Sequence, residues 1–264
     1  MELAEAIASP RNPLTARVMV NRIWQHHFGA GIVRTASNFG MVGDRPSHPE
    51  LLDYLAARFE EGHWSIKALH REIMLSSVYA LSDESSPEES TTDPENRLLW
   101  RANRRRLDVE ALRDAILFVA GQLDQTVGGP AFDWNKPVPR RTVYGKVSRF
   151  RLERMLSLFD FPAADITCEQ RVTTNIPPQK LFFLNSELVA EHAKALSVRL
   201  NREAPDDSAR IARAYHLLFG RPPSSYEAEK GLAFLTAGGA AGRSSAWQEY
   251  AQTLLSTNEF LFVD

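Results

Sequence analysis

Apolar residues recur at the spacing of an α-helix through most of this chain. Leu14, Val18, Val20, Ile23, Trp24, His27 and Phe28 alternate with Arg17, Asn21 and Gln25, which predicts a helix with one buried face. Asn12-Pro13 suits its start, and Gly29 and Gly31 its end. Ser47-His48-Pro49-Glu50 reads as a capping box ahead of a second stripe, Leu51, Leu52, Leu55, Ala56 and Phe59, which Gly62 stops. Ser65 is expected to cap a third helix, with Ile66, Leu69, Ile73, Met74 and Ser77 as its stripe. Asp93-Pro94-Glu95 is expected to restart helix. Asp108 is placed to cap a strong helix with Leu112, Ala115, Ile116, Val119, Ala120 and Leu123 inward.

The pattern then weakens. Gly128-Gly129-Pro130 breaks it, and Arg141 to Val147 carries the β-branched and aromatic residues of a short strand. Arg151 to Phe159 reads as one more helix, and Asp160 to Pro178 as loop. From Pro178 a long helix is expected, its buried stripe being Leu181, Phe182, Leu184, Leu188, Val189, His192 and Leu196. Asp206 or Asp207 suits the cap of the next, with Ile211, Ala214, Tyr215, Leu218 and Phe219. Ser224 to Glu227 and Ser245 to Gln248 are two further capping boxes. The pattern predicts a mainly α-helical fold, one domain over 1–264 with roughly eight to ten helices. Its parts are a helical stretch 1–125, an irregular middle 126–176 with room for a short β-hairpin, and a helical stretch 177–264. No period of fixed length recurs, so a helical-repeat array is not expected.

Two loops stand out. Ala30 to Pro46 is long for a connection and rich in glycine, as functional loops often are. Asp83 to Asp93 carries five acidic side chains and no Lys or Arg, and reads as an exposed loop.

The formal net charge of -2 on 264 residues gives no electrostatic reason to expect nucleic acid or an anionic membrane, although it leaves local basic patches open. Cys168 is the only cysteine, so neither an intrachain disulfide nor a Cys-x-x-Cys-His heme attachment is possible. No apolar run is long enough to span a bilayer. Met1 to Ala8 is too acidic and too short for a signal peptide, and the chain is expected to begin partway through a longer gene product.

Several stretches carry a resemblance. They begin with Asn12 to Val18, Asn21 to Gly29, Ser37 to Gly40 and Arg45 to Asp53. Arg105-Arg106-Leu107, Leu112-Arg113-Asp114-Ala115, Gly128-Gly129-Pro130 and Arg141-Thr142-Val143-Tyr144 follow. After Phe159-Asp160-Phe161 come Arg171 to Thr174, Pro178-Gln179, Leu184-Asn185 and the ending Asn258 to Asp264. Together they resemble the C-terminal domain of unknown function in large cytochrome-linked proteins of planctomycetes and related bacteria. Ala36 and Lys180 depart from the expected proline and small or apolar residue. The resemblance implies an extracytoplasmic setting and, as partners, upstream domains of the same family or a cytochrome-c-like domain. Heme c would belong to such an upstream domain, with no cofactor in this chain. The organisms' wealth of glycan-degrading genes adds a glycan as a ligand class.

Candidate chemistry is thin. His26 and His27 are adjacent on a helix and point about 100° apart, so they cannot share one metal ion, and no metal site is expected. The loop residues Asn38, Arg45 and His48 suit a polar binding rim, or a packed loop bonded to its own carbonyls. Arg101, Arg104, Arg105 and Arg106 suit ion pairing with Asp108, Glu110, Asp114 or the acidic loop. The segment Asp160 to Asn185 gathers Asp160, Asp165, Cys168, Arg171, Thr173, Thr174, Gln179 and Asn185 around a helix start, which fits an anionic group; Arg171, Gln179 and Asn185 could equally satisfy buried backbone. Arg140, Arg141 and Tyr144 could face that pocket. The leading expectation is a binding or interaction module that engages a glycan or partner domain. The rivals are a saccharide-active enzyme (hydrolase or heme-coupled oxidoreductase) using Asp160 and Asp165, and a purely structural packing module.

Overall fold

The computed structural model describes residues 1–9, 11–136, 138–237 and 243–263. Among them thirteen α-helices and a two-stranded sheet of two residues per strand make a mainly α protein. The chain divides into two compact units, Met1–Arg105 and Arg106–Val263. No helix among the described residues is long and apolar enough to cross a membrane.

The first unit contains α1 (Glu2–Ala8), α2 (Thr15–Phe28), α3 (Pro49–Glu61), α4 (Ile66–Met74) and α5 (Pro87–Thr92). Its core joins Val20, Ile23, Trp24 and Phe28 of α2 to Leu52, Leu55 and Phe59 of α3 and to Leu69 and Ile73 of α4. These follow the stripes that the 3.6-residue period marks, except that Leu14 is exposed while Asn21 and Gln25, expected on the other side of α2, are buried. Gly29 ends α2 in the left-handed conformation, φ 82°.

Local details differ from the sequence pattern. The α2 helix starts at Thr15, because the Asn12 side chain accepts the Leu14 amide (3.0 Å) in a turn of its own. Ser47 does not cap α3; its hydroxyl donates to the Ile32 carbonyl at 3.3 Å. Ser65 does cap α4, but Ile66 and Met74 lie on its outer side. The acidic stretch contains α5, with Pro87 in its first turn. Asp93-Pro94-Glu95 starts no helix, since the Asp93 carboxylate takes the amides of Arg97 and Leu98 and closes a turn.

The second unit contains α6 (Val109–Val119), α7 (Arg154–Leu158), α8 (Pro177–Asn185), α9 (Glu187–Glu203), α10 (Asp207–Phe219), α11 (Ser225–Ala237), α12 (Arg243–Leu255) and α13 (Asn258–Leu261). Val189, Ala193, Leu196 and Leu200 form one fully buried stripe of α9 at i, i+4, i+7 and i+11. They share a core with Ala251, Leu254 and Leu255 of α12. Each large side chain buried there contributes on the order of 1.5–3 kcal/mol. Gly231 of α11 is required by the Tyr250 hydroxyl, which lies 2.6 Å from where a Cβ would stand.

Here too the structure corrects the pattern. The long helix from Pro178 is two helices, broken at Ser186 (ψ 128°). Gln252 donates to the Phe183 and Leu184 carbonyls at the break. The stripe shifts accordingly: Phe183 is buried, while Leu181 and Leu184 are exposed. Ser245 lies inside α12 and donates to Glu249 rather than capping. The helix expected at 151–159 is only α7, capped by Glu153. The strand expected at Arg141–Val147 is a 3-10 turn, Thr142–Tyr144. The isolated bridges around it, Asp124 with Arg140 and Phe132 with Gly145, are both parallel, so no hairpin forms among the described residues.

Candidate functional site

The irregular middle of the second unit is held by buried polar side chains. Arg113 and Asp114 of α6 hold one part of it. Arg113 donates to the Val138 and Arg140 carbonyls (2.6 and 2.9 Å) and to the Thr142 hydroxyl oxygen (3.1 Å). Its guanidinium lies against both the Phe132 and Trp134 rings, 5.4 and 5.5 Å from their centres. Asp114 accepts from both the amide and the hydroxyl of Thr142, at 2.7 and 2.6 Å.

Asp160 holds the rest. It follows the C-cap of α7 in the left-handed region, φ 62°. The Phe161 amide donates back to the Leu156 carbonyl, so Asp160 occupies the position that glycine usually takes in such a helix end. A carboxylate there is useful because four donors reach it. Oδ2 accepts from Arg106 (2.6 Å), the Thr174 amide (2.9 Å) and Gln179 (3.3 Å), and Oδ1 from the Thr174 hydroxyl (2.8 Å). Burial alone would push this carboxyl up, but the hydrogen bonds from Thr174 and Arg106 outweigh it and hold the group below the usual carboxylate range.

Gln179 is buried. Its amide nitrogen also faces the Leu158 carbonyl and the Thr174 hydroxyl, and its oxygen accepts from Arg106 and the Ile176 amide. Arg106 additionally donates to the Thr174 carbonyl. Arg106, Asp160, Thr174 and Gln179 thus close one network that fixes 159–179.

Beside it Arg171 makes a two-pronged pair with Glu110, at 2.7 and 2.8 Å, and stacks 5.1 Å from the Phe161 ring centre. Burial would raise the Glu110 carboxyl; Arg171 and a backbone bond lower it below its ordinary value. Arg171 is shifted up, chiefly by its hydrogen bonds to Glu110.

The structure brings together Asp160, Thr174 and Gln179. Asn185 and Asp165 are exposed. Tyr144 lies under the Arg140 guanidinium and accepts the Gly128 amide. Arg141 is half exposed, 3.8 Å from Asp114. In the first unit, Asn38 accepts the Gly40 amide (3.3 Å), His48 contacts Ser47 (2.9 Å), and Arg45 is exposed. That loop is pinned from within by Asn21, fully buried, which exchanges two hydrogen bonds with Val33 at 2.8 and 2.9 Å. The Cys168 thiol is exposed and donates to the Gln170 carbonyl.

Several partnerships had no sequence signal. Arg106 pairs with Asp160, not with the acids near it in sequence. Arg104 does meet the acidic stretch, at Asp83. His27 Nε2 lies 2.7 Å from His70 Nδ1. No group of three His, Cys, Asp or Glu among the described residues could hold a metal ion. A cavity of about 150 Å³ lies beside Arg58, Gly62, Leu69 and Glu72 in the first unit. It is smaller than ligand pockets usually are, and none of the candidate site residues lines it.

The fold and these networks define a mainly α-helical protein whose irregular segments are clamped by buried arginine and carboxylate pairs. The model of the PSD1 family, described as a protein of unknown function (DUF1553), matches residues 1–235, and the chain belongs to that family. No curated protein and no solved structure matches it.

Proposed function

We propose that this chain is a docking module, with surface built to be covered by an adjoining protein domain. The observation that carries this is the outer surface of α8.

Part of that surface is apolar and ordered. On α8, Pro177, Leu181 and Leu184 fall at i, i+4 and i+7, so an apolar stripe, flanked by Lys180, is turned outward. Leu181 is 52% exposed and Leu184 62%. The opposite face is locked by Gln179 and Phe183, which gives the stripe a fixed position.

The polar residues favour docking over saccharide chemistry. Asp160 is ionised and fully engaged, so it has no proton to give a leaving group. The Arg171 fork is filled by Glu110. The occupant we assign is the domain that the family resemblance puts ahead of this one, in an extracytoplasmic assembly with a cytochrome-c-like domain.

Calorimetric titration of this chain with that upstream domain, purified separately, tests the assignment. Binding should weaken at least about tenfold in Leu181→Asp/Leu184→Asp, which removes buried apolar area without touching the core. No heat with the upstream domain, together with a thermal shift on sulfated or neutral oligosaccharides that Arg171→Ala abolishes, would replace docking by glycan binding.

A further inference from the structure

The net charge of the whole chain hides one strongly basic segment. Residues 138–154 hold six Lys or Arg and a single acid, Glu153, within a chain of net charge -2. Arg140 is spent on the Gly128 and Pro130 carbonyls, and Lys146 pairs with Asp133 at 2.8 Å. Glu153 is spent on the amides that open α7. Arg149, Arg151 and Arg154 are exposed, and their guanidinium groups carry no ion pair or hydrogen bond among the described residues.

The loop that carries them is tied at both ends. The Lys146 amide donates to the Phe132 carbonyl (3.0 Å), and the Trp134 indole donates to the Lys146 carbonyl (2.8 Å). At the other end Met155 and Leu156 are buried in the core. Between these ties Val147 to Arg151 all lie in solvent. Phe150 is 100% exposed, directly between Arg149 and Arg151.

We propose that this tethered loop is a contact site for an anionic lipid surface. A fully exposed phenylalanine on a solvent-exposed loop does not need a preformed pocket in a lipid interface, which deforms around it, whereas a protein partner would have to supply a cavity. Guanidinium forks match phosphate oxygens, and several unpaired cations next to an apolar side chain combine electrostatic attraction with shallow insertion. The contact is local, so it works against a slightly acidic chain within a Debye length of the surface. It is independent of the α8 docking surface.

Co-sedimentation with lipid vesicles tests it. The chain should pellet with phosphatidylcholine vesicles that include phosphatidylglycerol and not with phosphatidylcholine alone. Arg149→Glu/Arg151→Glu should lower binding by at least about tenfold, and Phe150→Ser by several-fold, because charge and insertion each contribute. Leu181→Asp/Leu184→Asp should leave it unchanged. Both loop variants alter solvent-exposed positions only, and circular dichroism checks that they fold. The proposal is overturned if the chain stays in the supernatant with anionic vesicles. It is also overturned if Phe150→Ser binds as well as the parent, or if immobilised polyglutamate captures the chain and the vesicles do not, which would mark an acidic protein partner instead.

Discussion

Arg106 and Asp160 meet at 2.6 Å across fifty-four positions of sequence, with the arginine side chain 8% and the carboxylate 17% exposed. Removing one partner leaves the other charged and buried. Asp160→Ala should therefore destabilise the chain by about 3 kcal/mol. Asp160→Asn keeps an acceptor and tolerates the left-handed backbone, so it should cost clearly less. Urea midpoints of the two variants measure the difference, and equal midpoints would refute the role given to the carboxylate.

Acid should weaken the protein in a defined window. Asp160 and Glu110 are held below their ordinary values, and Glu227 is drawn down to about 2 by its hydrogen bonds to Arg221. A carboxyl with a depressed folded pKa adds stability above its unfolded value, and loses it as pH falls through the folded one. Stability should fall from about pH 4.5 downward, the last part near pH 2. Glu227→Gln should flatten that last part in an acid titration followed by circular dichroism.

A second window lies nearer neutrality. Burial, with help from His70 and Arg105, lowers the His27 pKa below its usual 6.5. The folded state then binds fewer protons than the unfolded one, so stability is present above pH 6.5 and declines as pH falls below it. The thermal midpoint should drop between pH 7 and pH 5.5 (roughly the range in which a free histidine gains its proton). His27→Asn should reduce that slope, and an unchanged slope would point away from the His27–His70 contact.

Thr142 is predicted to be worth more than a surface threonine. Its hydroxyl joins Asp114 to Arg113 while 4% exposed. Thr142→Val keeps the shape and takes one hydrogen bond each from the charged Asp114 and Arg113, so it should cost about 1–3 kcal/mol. Proteolysis within 138–147 should also speed up, because the α6 clamp on that stretch loosens.

The single-domain expectation has its own measurement. One domain over 1–264 should give one calorimetric transition whose calorimetric and van't Hoff enthalpies agree. Two resolved transitions would mean that the compact units unfold independently.

Helix content was legible in the sequence because a helix buries residues three and four apart in the chain. The stripe of α3 and the caps Ser65 and Asp206 are local facts, and each is found where its pattern stands. The polar motifs were legible as motifs and not as partners. Arg113-Asp114 and Thr142 are separate words in the sequence, and only the fold puts them in contact. Asp160, Thr174 and Gln179 were grouped in one segment of the sequence, and only the fold adds Arg106 to them. Arg106 has acids close by in the chain at Asp108 and Glu110, so local reasoning points it there; in the fold Arg171 takes Glu110 and Arg106 turns to Asp160.

The sequence by itself determined the mainly helical class, most helix positions and the weak middle, because propensity, capping and periodicity act over a few residues. Tertiary structure alone decided where the Pro178 helix breaks, which face of α8 stays in water and which arginine each carboxylate receives. Those outcomes depend on donors, acceptors and apolar surfaces that lie dozens of residues apart and become neighbours only when the core closes.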